Sequence, residues 1–110
     1  MQQQFRQGDV ALIPIAPLSA AKRKKGTVVP RDKGRVVLAY GEVTGHAHAI
    51  VAPGVTQIEF TDGERVLTID PVSEALLLHE EHATIALPPG DYKVVRQREY
   101  TPEAIRNVAD

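Results

Sequence analysis

Apolar and polar positions along this chain alternate in short runs cut by glycine and proline, the pattern of strands joined by tight turns rather than of long amphipathic helices. Gln7-Gly8-Asp9 reads as a turn, and Val10 to Ile15 as a strand. Pro14 cannot donate to a ladder, which puts that strand at an edge or its end at a bulge. Ala16 to Gly26 has no apolar periodicity and reads as a loop, the most mobile part expected of the chain. Thr27 to Val29 is a short strand closed by Pro30, Arg31-Asp32-Lys33-Gly34 a turn, and Arg35 to Tyr40 a strand stopped at Gly41. After the Thr44-Gly45 turn, His46 to Val51 is a further strand. Residues 56 to 70 make the clearest hairpin, two alternating runs around Asp62-Gly63.

The stretch from Ser73 to His82 reads either as a short helix capped by Ser73 or as one long, bulged strand. The β-type residues of Ala83 to Leu87 favour the strand. Pro88-Pro89-Gly90-Asp91 is a tight turn, Tyr92 to Tyr100 a final strand, and Thr101-Pro102-Glu103 starts a short C-terminal helix through Val108. With about seven or eight short strands, no internal repeat and one terminal helix, the expected class is all-β, a small antiparallel barrel or sandwich.

Composition narrows the role more than the fold. The chain has 110 residues, enough for one domain and one core. A formal charge of -1 argues against a global electrostatic mode of binding nucleic acid or membrane, so such binding must be local. There is no cysteine, which removes disulfide and thiolate chemistry. No apolar run approaches a membrane span, and Met1 to Arg6 lacks the apolar core of a signal peptide, so a soluble cytoplasmic protein without a membrane partner is expected.

The chemistry concentrates in the histidines. All four fall in two tight pairs, His46 with His48 and His79 with His82, each beside glutamates. Residues two apart on a strand share a face, so His46 and His48 present both imidazoles to one side. His79 and His82 are three apart, and a helical turn or a bulge at Glu80-Glu81 is needed to bring them together. Neutral imidazoles suit zinc, copper, nickel or iron(II), and the expected cofactor is a divalent metal, zinc first, held by His46, His48, His79 and His82. Three histidines and a water make an open, catalytic type of site, and four a closed tetrahedral one. Glu42, Glu80 and Glu81 are the carboxylates at hand as an extra ligand, a general base for metal-assisted hydrolysis, or a group that orients an imidazole. A metal-free hydrogen-bonded network is the main competitor, and acid-base work on a phosphodiester a weaker one. No nucleophile motif or phosphate loop supports another enzyme class.

Lys22, Arg23, Lys24 and Lys25, followed by Arg31, Lys33 and Arg35, form a basic stretch interrupted only by Asp32 among the acids. It is a candidate anion- or partner-binding patch, for nucleic acid or an acidic protein surface, against a solvated loop that protects an edge. The alternative function is therefore a non-catalytic interaction module, an accessory protein of phage or mobile-element type, binding through this loop or a strand edge. A second copy of the chain, giving a homo-oligomer, is the other partner left open.

The set Gly41-Glu42-Val43-Thr44-Gly45-His46-Ala47-His48, His79-Glu80-Glu81-His82, Pro88-Pro89-Gly90-Asp91-Tyr92 and Arg98-Glu99-Tyr100 resembles a family of small bacterial and phage-borne proteins of unknown function. That resemblance spans Gly8 to Asp110 and implies no activity. The chain is also loosely similar to cupins, small β-barrels in which a glycine-led HxH begins a metal site. His46 and His48 match the HxH. The glutamate that cupins place after it is replaced by Ala52-Pro53-Gly54, and here the histidines precede the Gly-Asp turn rather than follow it. The cupin likeness implies a β-barrel with a histidine-lined interior and no more.

Overall fold

The computed structural model describes residues 3–41 and 46–96. The chain folds as β1 (Phe5–Gln7), β2 (Val10–Ile15), α1 (Ala20–Lys24), β3 (Thr27–Val28), β4 (Val36–Tyr40), β5 (Ala47–Ile50), β6 (Val55–Glu59), β7 (Arg65–Ile69), β8 (Ala75–Leu77), β9 (Ile85–Leu87) and β10 (Gly90–Arg96). Six strands form one antiparallel sheet in the order β1-β2-β10-β7-β6-β3. Facing it, β4 pairs with β5 and β8 with β9, and a single bridge between Ala49 and Leu78 joins the two pairs into a second layer.

The core lies between the layers. Val10, Leu12, Val55, Leu67, Ile69 and Tyr92 from the large sheet meet Val36, Leu38, Ile50, Ala75, Leu77 and Leu87 from the other. These are alternate strand positions, as burial of one face of each sheet demands. Gln57 lies buried within this interface and donates from Nε2 to the Val37 carbonyl at 3.0 Å, tying the layers, while its Oε1 has no hydrogen-bond partner among the described residues. The all-β class holds, and of barrel and sandwich the fold is a sandwich. Among the described residues the sheets do not close into a barrel, since β1 and β3 end the large sheet.

Several sequence expectations change. The expected loop through Lys22 to Lys25 contains helix α1, which Ser19 caps by accepting from the Lys22 N–H at 3.1 Å. Five residues without an apolar stripe do not hold a helix alone. Arg23 anchors this one, reaching Asp91 at 2.7 Å and the Thr68 hydroxyl at 2.9 Å. The stretch from Ser73 to His82 is neither one helix nor one long strand. Ala75–Leu77 turns back to pair with Ile85–Leu87, and the two histidines lie on the connection. Phe5–Gln7 forms a strand that the sequence reading passed over, paired with residues 10 to 12. Pro14 lies past the end of β1, where β2 keeps only β10 as neighbour, in keeping with an edge position. The expected C-terminal helix lies outside the described residues. No helix among the described residues is long and apolar enough to cross a membrane.

Candidate histidine-carboxylate site

At one end of the sandwich the interior becomes polar, and the four histidines meet there. His48 comes from β5, whose inward positions carry His48 and then Ile50. A bulge in β4 between Val37 and Ala39 sits directly opposite His48 and Ala49. His79 and His82 arrive on the β8–β9 connection. Ring centroids are 4.3 Å apart for His48 and His79, 4.7 Å for His79 and His82, and 5.8 Å for His46 and His79 and for His48 and His82. His79 is the middle ring. The pairs inferred from sequence therefore converge, brought together by a reversing loop rather than a helical turn or bulge. The cluster grades from buried His48 through half-buried His46 and His79 to exposed His82.

Gln7, at the end of β1, sets the state of His48. Its Nε2 donates to the Leu77 carbonyl at 2.9 Å and to the Ala83 carbonyl at 2.8 Å. An amide flipped the other way would set oxygen against both carbonyls, so its orientation is determined. Oε1 then faces His48 Nδ1 at 2.8 Å and must accept from it. The neutral ring carries its proton on Nδ1, which leaves Nε2 as an acceptor 3.5 Å from Asp9 Oδ1. Burial pushes the His48 pKa down from 6.5 to about 4, helped by the charge of His79 and opposed by Asp9, so the ring is neutral at neutral pH. Two acceptors at this separation could share a cation. Ligands about 2.0–2.2 Å from a tetrahedral zinc stand roughly 3.3–3.6 Å apart, which matches this pair.

The remaining histidines differ from one another. His46 Nδ1 is buried with no hydrogen-bond partner among the described residues, and Glu81 Oε2 stands 3.3 Å from it. His79 Nδ1 accepts from the Glu81 N–H at 2.9 Å, so a neutral His79 holds its proton on Nε2 and offers a donor there rather than a ligand. His82 lies over the β1–β2 turn. A Cβ on Gly8 would come 2.8 Å from His82 Nε2 and 3.2 Å from His48 Cε1, and Gly8 also has φ +59°, so glycine is required twice over. Among the described residues, no three His, Asp or Glu side chains already stand in a ligand geometry for one ion. The preset part is the His48 and Asp9 pair.

Of the glutamates singled out from sequence, Glu80 accepts from the Ala47 N–H at 3.0 Å, a bond that holds its carboxyl below the usual carboxylate range. Glu81 faces His46, and Glu42 lies outside the described residues. Gln7 and Asp9 were missed. Their only sequence signal was the turn that carries them. Arg96 Nη2 approaches Asp9 Oδ2 at 3.5 Å, backing the carboxylate on the side away from His48.

The basic stretch is dispersed. Arg23 is bound to Asp91, Lys22 stands 4.5 Å over the Phe60 ring, and Arg31 donates to the carbonyls of Gly34, Val51, Ala52 and Val55. Lys24 and Lys25 remain on the exposed end of α1.

No curated protein and no solved structure matches the chain. Residues 6–97 match a protein family and hold every described group of the site, so the chain belongs to that family, the Domain of unknown function (DUF8820).

Proposed function

We propose that this protein binds a divalent transition-metal ion, zinc by donor chemistry, at the polar end of the sandwich. His48 Nε2 and Asp9 are the fixed ligands, His82 is the third donor carried in by the β8–β9 connection, and His46, whose buried Nδ1 has no partner among the described residues, is the fourth. His79 stands among them as a hydrogen-bond donor. The observation that carries this reading is His48 Nε2, left as an acceptor by Gln7 and standing 3.5 Å from a carboxylate oxygen, the separation of two zinc ligands.

The test is elemental analysis of protein purified without an affinity tag, followed by calorimetric titration with zinc. One ion per chain is expected, lost in His48→Ala and in Asp9→Asn, and retained within about tenfold in His79→Ala. Metal-free protein with no affinity for added zinc would sink the reading. Loss of zinc in His79→Ala alone would replace the ligand set.

A further inference from the structure

The inner face of the large sheet changes chemistry along its length. In the core Leu67 lies between Gln57 and Tyr92, and one pleat further the same face carries Arg65 between Glu59 and Val94, with Arg96 beyond. Charged side chains on a face that is elsewhere apolar need solvent, partners or a ligand. Here they line a mainly polar cleft of about 310 Å³ between this sheet and β4, with Val94, Val37 and Ala39 among its apolar residues. That volume falls at the lower end of small-molecule sites, roughly 300–1,000 Å³.

Both guanidiniums keep donors to spare. Arg65 is 3.8 Å from Glu59 and Arg96 is 3.5 Å from Asp9, both longer than the roughly 2.7–2.9 Å of a charge-assisted hydrogen bond. Arg96 Nε is buried with no acceptor among the described residues. That N–H is closed to solvent, so what a ligand in the cleft can meet is the exposed part of the two side chains, both of which are partly open to solvent.

We infer that the cleft binds a small organic acid, its carboxylate held by Arg65 and Arg96 and its hydrocarbon part laid on Val94, Val37 and Ala39. Forked guanidinium donors match a carboxylate in shape, and Val94, Val37 and Ala39 are the apolar residues of the lining that a hydrocarbon part would meet. The site stands apart from the ion and does not require it, although Arg96 touches both through Asp9.

The test is an NMR titration of the full-length, EDTA-treated protein with hexanoate, with hexanol and inorganic phosphate as comparisons. Hexanoate is expected to give saturable shifts at the amides of Arg65, Val94 and Arg96, with affinity at least tenfold weaker in Arg65→Gln and in Arg96→Gln. Arg65 is partly exposed, so its variant keeps the fold, which a thermal melt checks. Hexanol and phosphate are expected to bind more weakly than hexanoate. Absence of saturable shifts, or unchanged affinity in the double variant, would overturn the inference. Hexanol binding as tightly would leave only an apolar hollow, and phosphate binding as tightly would leave only an anion site; either result rejects the organic acid. Zinc binding is measured on the same samples, so failure of either site is read independently of the other.

Discussion

Gln7 decides what His48 can do. One buried amide spends both its N–H groups on the carbonyls of Leu77 and Ala83 and its oxygen on the imidazole, so the ring is held in one tautomer and one orientation. Replacing it with alanine removes three bonds from a buried position, and a destabilisation of about 2 kcal/mol or more is expected in chemical denaturation. Zinc affinity should fall about 10- to 100-fold in the same variant, because the ring loses its orienting partner. Affinity unchanged in a folded Gln7→Ala would show that Nε2 needs no such lock. The buried ring also makes the metal-free protein sensitive to acid. Its folded pKa, about 4, lies below the ordinary 6.5, so between these values the unfolded chain binds more protons than the native one. Stability is then full above pH 6.5 and falls towards pH 4, by up to about 3 kcal/mol. His48→Gln in metal-free protein should flatten that slope in denaturation curves across the window. The strand that carries His48 was legible from alternation alone. Asp9 and Gln7 were not, because only the tertiary crossing of the β1–β2 turn over β5 brings them to the ring.

At the scale of elements, strands were legible wherever alternation met a strong breaker, as in the β6–β7 hairpin, where Gly63 takes the positive φ of 89° that Asp62-Gly63 forecast. Elements held by distant partners were not. Helix α1 has no stripe to read and depends on Asp91, which accepts from the Leu18 N–H at 2.8 Å and from Arg23 at 2.7 Å. Likewise, nothing local distinguishes a long strand from the short β8–β9 hairpin, since Pro71 and Pro88 bracket both. Burial raises the Asp91 pKa, but hydrogen bonds from Leu18, Thr68 and Arg23 outweigh it and leave the carboxyl below its usual value. A carboxyl so depressed contributes stability that is present above its unfolded pKa, about 3.9, and is lost as pH falls through the lower folded value. Asp91→Asn should therefore cost about 2 kcal/mol at neutral pH, with the gap from the unaltered protein closing only below about pH 4. A gap that persists in stronger acid would mean that packing, not the charge, holds α1.

On the scale of the whole molecule, the candidate ion would act between the two layers. Asp9 and Gln7 belong to the large sheet's first turn, His48 to β5 of the facing layer, and His79 and His82 to the connection that closes β8 on β9. Ordinary packing joins these parts at the apolar end, from Leu12 to Leu87, whereas at the polar end the side chains between them are imidazoles and carboxylates. An ion shared by His48, Asp9 and His82 would replace that weak seam with bonds. Binding to the native state alone stabilises by about 2.7 kcal/mol at a hundredfold excess over Kd, and for a domain of this size each kcal/mol moves Tm by about 4–8 °C. Zinc should thus raise Tm by about 10 °C or more, in proportion to the logarithm of its concentration, and EDTA should reverse the effect. Tm alone does not locate the ion, but hydrogen exchange does. An ion between the layers should slow exchange at once in the β1–β2 turn, in β5 and in the connection from Leu78 to Thr84. An ion held only by His79 and the exposed His82 would protect the connection and leave β5 and the turn as they were, and that outcome would move the site off the sandwich interior.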